Sequence, residues 1–213
     1  MNYDESLDVL ETHFGFQVPR GTSELFSRYV SLIREWNRFA GLVSPADEAK
    51  LDEHVADSLS LVPYLGSPST AGIKCLDIGS GAGFPAIPIA AVRRDATFEL
   101  WESSGKKAAF LRKATALLGL TQCTVKHGRF ESESSSVRPD FVLSRAAARP
   151  DKLIPLTEPF LAQGASLLYQ GNRNLDNPAL TQYQILDEFD RRGLRRSRLS
   201  VVSAKKPYTN SST

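Results

Sequence analysis

The chain has 213 residues, of which 41% are hydrophobic and 23% are charged, and this composition is typical of a soluble globular protein with one main domain. Its longest apolar run, residues 86–92, is far shorter than the roughly 20 residues that cross a bilayer, and the acidic N-terminus lacks the basic start of a secretory signal. A cytoplasmic protein without membrane contact is therefore expected.

The cysteines and histidines give no metal site. Cys75 and Cys123 each lie in a short apolar run, so they are expected to be buried hydrophobic side chains rather than a disulfide or metal ligands. His13, His54 and His127 stand far apart, with no cysteine or carboxylate at the spacing that zinc sites use. No metal is expected.

Charge divides the chain into two unequal parts. Residues 1–70 contain 5 Lys and Arg against 11 Asp and Glu, a net charge of −6, and residues 71–213 contain 21 against 13, a net charge of +8. The basic part holds two clusters: Lys106, Lys107, Arg112 and Lys113, and Arg191, Arg192, Arg195, Arg196 and Arg198. This asymmetry indicates a polyanionic partner for the second part, and a merely solvated face is the alternative for each cluster.

The first 65 residues have the apolar spacing of helices. Offsets of three and four place one buried stripe on a helix: Leu25, Phe26, Tyr29, Leu32, Ile33 and Trp36. A second helix is predicted over residues 47–61, and Gly41 with the Ser44–Pro45 pair separates the two. Residues 66–72, rich in Gly, Ser and Pro, predict a linker. We therefore expect a helical extension, residues 1–66, and a second domain, residues 67–213.

Beyond the linker, short β-prone runs alternate with helical ones. Strands are predicted at residues 73–78, 97–102, 123–127, 140–144 and 165–170, and helices at residues 84–93, 104–118 and 151–162. Two more β-prone runs, residues 184–189 and 199–203, are too close for a crossover helix and predict an antiparallel pair. The pattern predicts an α/β, Rossmann-like fold with a mostly parallel seven-stranded sheet.

A glycine-rich turn joins the first strand to the first helix of this domain. Gly79, Gly81 and Gly83 follow Asp77, and glycines there let the backbone approach a ligand while the next helix directs free N–H groups at it. A phosphate-binding P-loop would need Gly-Lys-Ser/Thr, which is absent. A dinucleotide fold would need its third glycine where Phe84 stands. The spacing favours S-adenosylmethionine, which has an amino acid group and no pyrophosphate.

The second strand ends in a carboxylate that favours the same cofactor. Glu102 stands where an acidic side chain can accept hydrogen bonds from two ribose hydroxyls. A solvated charge is the alternative for Glu102, and a plain structural turn is the alternative for the glycine loop.

Short motifs follow one another along residues 25–175. They are Trp36-Asn37, His54-Val55-Ala56-Asp57-Ser58-Leu59, the loop from Asp77 to Pro85, Glu102-Ser103 with Lys106-Lys107 and Phe110-Leu111, Arg129-Phe130-Glu131, and Ser144-Arg145-Ala146. Together they resemble the RsmG (GidB) family of bacterial methyltransferases. The resemblance implies a class I methyltransferase that transfers a methyl group from S-adenosylmethionine to N7 of a guanine in the 530 loop of 16S rRNA, conventionally numbered 527. It implies 16S rRNA or the small ribosomal subunit as the partner of an expected monomer.

The resemblance also assigns roles to side chains. The implied cofactor-binding residues are Asp77, Gly79, Ser80, Gly81, Gly83, Phe84, Glu102, Ser103, Arg129, Phe130, Glu131 and Arg145, and the implied catalytic residues are Arg145, His54 and Asp57. Because guanine N7 carries an exposed lone pair, the reaction needs in-line placement rather than a strong base.

Arg145 ends the fourth strand, where it is expected to grip a phosphate or a base-edge oxygen rather than lie over a purine that becomes cationic. A surface salt bridge is the alternative for Arg145. His54 and Asp57 share one helical face, and they either brace the helices against the sheet, with Asp57 bonding a backbone amide, or form one wall of the substrate cleft.

Two positions depart from the family pattern. Gly41-Leu42-Val43-Ser44 stands where the family usually has Asn-Leu-Thr, and Gln170-Gly171 stands where it has Lys-Gly. If that asparagine and lysine contact RNA, this chain binds RNA differently or uses a neighbour such as Arg173. Two alternatives stay open: a methyltransferase of the same fold that acts on a small molecule, and an RNA-binding relative without catalysis.

Overall fold

The computed structural model describes residues 2–66, 72–130, 137–145, 150–171, 184–188 and 199–203. Its helices are α1 (Tyr3–Phe14), α2 (Thr22–Ala40), α3 (Pro45–Glu48), α4 (Leu51–Leu59), α5 (Ala86–Val92), α6 (Gly105–Leu117) and α7 (Pro150–Leu161), and a 3₁₀ turn covers Val62–Leu65. Its strands are β1 (Lys74–Ile78), β2 (Thr97–Glu102), β3 (Cys123–His127), β4 (Phe141–Arg145), β5 (Ser166–Gln170), β6 (Gln184–Glu188) and β7 (Leu199–Ser203). Arg173, Glu131, the basic cluster at residues 191–198 and most of the predicted linker lie outside the described residues.

The strands and helices predicted for the second domain are all present, with ends within two residues of the prediction. The single helix predicted over residues 47–61 is wrong, because α3 ends at Glu48 and a separate helix, α4, covers Leu51–Leu59. Ser44 caps α3 by accepting the Asp47 N–H at 3.2 Å, and Pro45 stands in the first turn, where no N–H is needed. Lys50, with φ −120° and ψ 23°, then interrupts the helical backbone before α4.

The sheet is mostly parallel and Rossmann-like, as predicted. Its strand order is β3-β2-β1-β4-β5-β7-β6, and the first five strands in this order are parallel. β7 runs antiparallel to both β5 and β6, which confirms the antiparallel pair predicted near the C-terminus. The carboxyl ends of the parallel strands therefore meet at one edge, where open α/β sheets bind their ligands.

Helices cover both faces of the sheet. One face shares a hydrophobic core with α1, α2, α4, α5 and α6, and the other packs against α7. Phe26, Tyr29 and Ile33 are fully buried in the first core, which confirms the predicted helical stripe. The division of the chain after residue 66 stays a prediction, since α2 and α4 pack directly on α5.

Two cysteines lie in the described part of the chain. Cys75 is buried, Cys123 is half-buried, and both are free thiols. Within the described ranges, no helix combines the length and hydropathy that crossing a membrane requires.

Candidate active site

Four polar side chains form a row across the carboxyl edge of the sheet. In spatial order they are Glu102 on β2, Asp77 on β1, Arg145 on β4 and Gln170 on β5. Asp77 aligns with Leu100 and Leu143, and Arg145 aligns with Gln170, so the period of two puts all four side chains on the face that α4, α5 and α6 cover. At about 4.8 Å per strand, this polar row spans about 14 Å.

Main-chain hydrogen bonds to β2 hold the glycine loop between β1 and α5. The N–H groups of Gly79 and Ser80 both donate to the main-chain oxygen of Trp101 at 3.0 Å. The hydroxyl of Ser80 donates to the main-chain oxygen of Asp77 at 3.2 Å. The loop backbone is therefore fixed by the strand ends themselves.

Gly81 and Gly83 are required for different reasons. Both have positive φ, 57° and 95°, in the region that side chains rarely adopt. A Cβ on Gly83 would lie 2.5 Å from the Ile87 side chain and 2.9 Å from the Tyr29 hydroxyl, whereas a Cβ on Gly81 would meet only the Gly79 carbonyl, at 3.8 Å. Gly83 thus permits packing beneath the loop, and Gly81 leaves its outer side open for a ligand.

Tyr29 on α2 supports this loop, a role that the sequence reasoning missed. Its buried hydroxyl donates to the main-chain oxygen of Ala82 at 2.5 Å, and burial raises the pKa of Tyr29 well above its usual value. A tyrosine in an otherwise apolar helical stripe was the available signal, because a buried hydroxyl needs a hydrogen-bond partner. The partner itself lies 53 positions away and could not be read from the stripe.

Glu102 joins the glycine loop to the start of α6. Its carboxylate accepts the Gly81 N–H and the Ser104 N–H, both at 2.8 Å, and the side chain is buried. Each oxygen keeps a second lone pair that a ligand hydroxyl can use. Ser103, predicted beside it, is exposed. The ribose contact stays a prediction.

Asp77 is a buried carboxylate near the end of β1. Only 1% of its surface is exposed, and neither carboxylate oxygen has a hydrogen-bond partner among the described residues. Burial raises the pKa of Asp77 to about 7, and the positive charge of Arg145 opposes that rise. Because an unpaired buried carboxylate costs free energy, the position suits a cationic or hydrogen-bond-donating group of a ligand.

Arg145 stacks on Phe84, the last loop residue before Pro85. Its guanidinium carbon lies 4.3 Å from the ring centroid, a cation–π contact. Its Nη1 atom is buried without a hydrogen-bond partner in the described part of the chain. Burial lowers the pKa of Arg145, whereas Asp57, Tyr29 and Asp77 favour its charged form. The guanidinium is therefore held at the site with a free donor.

His54 approaches the same aromatic ring from α4. The two ring centroids are 5.7 Å apart, and His54 Nε2 lies 3.3 Å from an Asp47 carboxylate oxygen. Burial and the charge of Arg145 lower the pKa of His54, although Asp47 opposes the shift. The Tyr29 ring also packs on Phe84, edge-on with the centroids 5.5 Å apart. Phe84 thus brings residues of α2, α4 and β4 together.

Gln170 is fully buried and ties β5 to α4. Its Nε2 donates to the main-chain oxygen of Asp57 at 2.8 Å. Since a carbonyl only accepts hydrogen bonds, this contact fixes the orientation of the amide and directs Oε1 away from Asp57. Oε1 is buried and has no hydrogen-bond partner among residues that the structure describes. The predicted contact of the Asp57 carboxylate with a backbone amide stays a prediction.

The remaining predicted cofactor residues come after β3 in the chain. Phe130 packs on Trp101 and Phe160, with centroids 5.3 and 6.0 Å away, in the cluster on the α7 face. Arg129 is exposed, and Glu131 lies outside the described residues. Their cofactor roles stay predictions.

The family model described as GidB, rRNA small subunit methyltransferase G, matches residues 22–190. The chain belongs to this family. A relative from Anaeromyxobacter dehalogenans, named ribosomal RNA small subunit methyltransferase G, is 38% identical over 170 residues, which cover 78% of this chain and 77% of the relative. A relative of the same name from Brucella ovis is 38% identical over 179 residues, which cover 82% and 81%. The predicted RsmG (GidB) membership is confirmed.

Solved structures show the fold of this family member. The magnesium protoporphyrin IX methyltransferase of Synechocystis PCC 6803, determined with bound S-adenosylmethionine, superimposes with a TM-score of 0.57 at 16% identity. The superposition covers 82% of this chain and 97% of that one. A methyltransferase-like Rossmann architecture is thus confirmed.

Gly41, a departure from the pattern that the family resemblance implies, adopts a backbone conformation that asparagine also tolerates. It ends α2 with a φ of 56°, and its N–H donates to the Asn37 carbonyl at 3.0 Å. Asparagine, which the family usually has there, is among the side chains that best tolerate this conformation. The Asn37 side chain holds the next residues by accepting the Val43 N–H at 3.0 Å and donating to Glu48 at 2.6 Å.

Proposed function

We propose that this GidB family member transfers the methyl group of S-adenosylmethionine to N7 of a guanine in the 530 loop of 16S rRNA, at the position numbered 527. Family membership and the names of the relatives support ribosomal RNA as the substrate. The chemistry of the polar row supports both the cofactor and the base.

S-adenosylmethionine is the cofactor, and the ends of β1 and β2 fit it. The unpartnered oxygens of Asp77 suit the amino group of its methionine part, and Glu102 has lone pairs for its ribose hydroxyls. The open outer side of Gly81 allows a close approach. The cofactor supplies an electrophilic sulfonium methyl group, so the protein needs to place the acceptor rather than to activate the methyl.

The observation that carries the guanine assignment is the pair formed by Arg145 and Gln170. They occupy aligned positions at the ends of β4 and β5, and among the residues that the structure describes neither Nη1 of Arg145, a donor, nor Oε1 of Gln170, an acceptor, has a hydrogen-bond partner. Guanine presents an acceptor, O6, beside a donor, N1–H, whereas adenine presents a donor and an acceptor in the opposite order. The pair therefore matches guanine.

The same pair leaves N7 free to react. A base gripped through O6 and N1–H has its N7 on the far side of O6, with the lone pair exposed. Arg145 is held against Phe84, so its charge need not lie over a purine ring that becomes positive. Orientation of this kind can supply about 7 to 11 kcal/mol of rate enhancement without a general base.

The N-terminal helices form one wall of this site in our proposal. Tyr29 holds the glycine loop, His54 packs on Phe84, and the Asp57 carbonyl orients Gln170. We therefore propose that residues 1–66 are a helical extension that completes the substrate cleft of the methyltransferase domain at residues 67–213. His54 and Asp57 then act as positioning residues.

Methyl incorporation into ribosomal RNA tests the proposal. The purified protein, labelled S-adenosylmethionine and small ribosomal subunits or 16S rRNA that lack the modification should give labelled RNA, and mass mapping should place the methyl group on guanine N7. RNA assembled with inosine at the target should still be methylated, because inosine keeps O6 and N1–H. RNA with adenosine or 7-deazaguanosine there should not be.

The other outcomes separate the alternatives. Methylation of a small molecule without RNA would point to a metabolite enzyme, and binding of RNA or cofactor without turnover would point to a non-catalytic relative. Methylation at a different guanine would keep the chemistry and refute the position. Equal methylation of inosine and adenosine would refute the role given to Arg145 and Gln170.

A further inference from the structure

An apolar groove lies between the end of α2 and the start of α6. It has a volume of about 350 Å³ and is lined by Trp36, Phe39, Ala40, Gly105, Lys106 and Ala109, which we call the Phe39 groove. Phe39 is 60% exposed and is the large hydrophobic side chain left exposed in the described part of the chain. The small side chains of Ala40, Gly105 and Ala109 leave the space beside its ring open.

The Phe39 groove is attached to the core without being part of it. The Trp36 ring packs edge-on against Phe110, at 6.0 Å, and Phe110 is fully buried. Phe39 packs edge-on against the outer side of Trp36, at 6.1 Å. The core therefore fixes Trp36, and Trp36 in turn holds Phe39 with most of its surface in solvent. A ring presented in this way can stack on another flat group.

The segments of α2 and α6 beside the Phe39 groove carry a net positive charge, and Lys106 lines the groove itself. The charged residues of α6 are all basic: Lys106, Lys107, Arg112 and Lys113. The last two turns of α2 add Arg34 and Arg38 against Glu35, so these seven side chains sum to +5. The amino end of α6 adds the positive end of its helix dipole. An apolar ring with this charge beside it suits a ligand that is both flat and anionic.

The Phe39 groove also lies on the rim of the proposed active site. Gly105 comes three residues after Glu102, whose carboxylate binds the glycine loop and the N–H of Ser104. A nucleic acid strand whose target base lies at Arg145 and Gln170, at the opposite end of the polar row from Glu102, would run along this row to reach α6. The location, the exposed aromatic ring and the positive charge together favour an RNA strand over an acidic protein segment.

We propose that the Phe39 groove binds an unpaired base of the substrate RNA by stacking on Phe39, while Lys106 and Arg38 contact its phosphates. The inference rests on the proposed function to the extent that RNA is the substrate. It assigns a second RNA contact outside the methyl-transfer site. Base stacking supplies affinity without sequence reading, so this contact anchors the strand rather than selects the guanine.

A stacking series at position 39 tests the proposal. Phe39→Ala and Phe39→Leu should each raise KM for unmodified small subunits about tenfold, whereas Phe39→Trp should keep the wild-type KM, because stacking needs an aromatic ring. The cofactor Kd should be the same in all four proteins. Exposure of Phe39 predicts unchanged thermal unfolding, which serves as the folding control. A Phe39→Leu protein with wild-type KM would overturn stacking.

A binding measurement without turnover separates this proposal from the proposed function. A single-stranded RNA with one 2-aminopurine should lose fluorescence on binding to the wild-type protein and much less on binding to Phe39→Ala. Lys106→Ala should reduce the salt dependence of that binding by about one phosphate contact, while Arg28→Ala, elsewhere on α2, should change it less.

Equal quenching by wild type and Phe39→Ala would refute the groove even if rRNA methylation is found. Quenching that depends on Phe39 would sustain it even if the methylated base is another one. Preferential binding of polyglutamate over RNA would assign the groove to a protein partner and refute the proposal.

Discussion

Replacing Tyr29 with phenylalanine tests whether α2 holds the glycine loop. The change removes one oxygen atom and keeps the ring that packs on Phe84 at 5.5 Å. The Ala82 carbonyl then loses its donor at 2.5 Å in the buried interior. An unsatisfied buried acceptor costs about 1 to 3 kcal/mol, so we expect the free energy of unfolding to fall by about 2 kcal/mol.

The same change should weaken cofactor binding, because Ala82 lies between Gly81 and Gly83. Without the tyrosine hydroxyl, the Ala82 carbonyl can turn toward water, and cofactor binding must then fix the loop conformation. A free energy cost of about 1 kcal/mol for fixing the loop corresponds to a roughly fivefold higher cofactor Kd. Chemical denaturation gives the stability, and titration calorimetry with S-adenosylmethionine gives the Kd.

Tyr3→Phe is the matched control. Tyr3 Oη lies 2.9 Å from Ser27 Oγ on the surface, where water can replace the lost contact, so its loss should stay within about 0.5 kcal/mol and leave the Kd unchanged. Equal stability losses for the two variants would contradict the role of the buried hydroxyl. A destabilised Tyr29→Phe protein with wild-type cofactor affinity would show that α2 stabilises the fold without shaping the loop.

Three further variants test the polar row and its loop. Gly81→Val should raise the cofactor Kd more than tenfold and lower stability by only about 1 to 2 kcal/mol, because a Cβ at position 81 meets open space. Gly83→Ala should mainly destabilise the fold, because a Cβ there meets Ile87 and Tyr29. The reverse ranking in calorimetry and denaturation would refute the two assignments. Burial raises the pKa of Asp77 to about 7, so between its usual pKa and pH 7 this carboxyl binds more protons in the folded state than in the unfolded state. The free energy of unfolding of the ligand-free protein should therefore fall by roughly 4 kcal/mol at most as the pH rises from about 4 to 7. Asp77→Asn should remove that slope in unfolding measured across this range, and an unaltered slope would place the titration elsewhere. Gln170→Met removes one of two donors to the Asp57 carbonyl, because the Ser60 hydroxyl also donates to it at 2.6 Å. It should therefore cost only about 0.5 to 1.5 kcal/mol in stability, and it should reduce methyl transfer to RNA while the cofactor Kd stays constant; a raised cofactor Kd would contradict its proposed place on the acceptor side.

Local sequence signals predicted most elements of the fold and the glycine turn between β1 and α5. Alternating apolar runs predict strands wherever they occur, and the glycines at 79, 81 and 83 indicate a ligand loop because few other constraints need them. The end of the helix near residue 50 was missed, because Lys50 has no residue-type signal that would mark a break.

The acceptor side of the site could not be predicted, because it depends on strand order. Arg145 and Gln170 become neighbours only when β4 and β5 are adjacent and in this register. In the sequence, Gln170 stood out solely as a departure from the family, and nothing local indicated that it is fully buried with an amide fixed by Asp57. Long-range pairing and burial therefore determined the part of the site that the sequence left open.

The arrangement of charge in the polar row fits a reaction that moves a positive charge without creating one. In the proposed reaction, the sulfonium of the cofactor loses its positive charge as the purine gains one. The net charge of the reacting groups stays constant, so no side chain needs to gain or lose charge in the transition state. Asp77 lies at one side of this path with its carboxylate buried, and Arg145 keeps its own charge 4.3 Å from the Phe84 ring instead of over the base. A histidine that became cationic here would oppose the transfer, and both burial and the charge of Arg145 lower the pKa of His54, which favours its neutral form. Phe84 contacts both Arg145 and His54, so this one ring at the end of the glycine loop connects the cofactor side of the proposed site to the acceptor side.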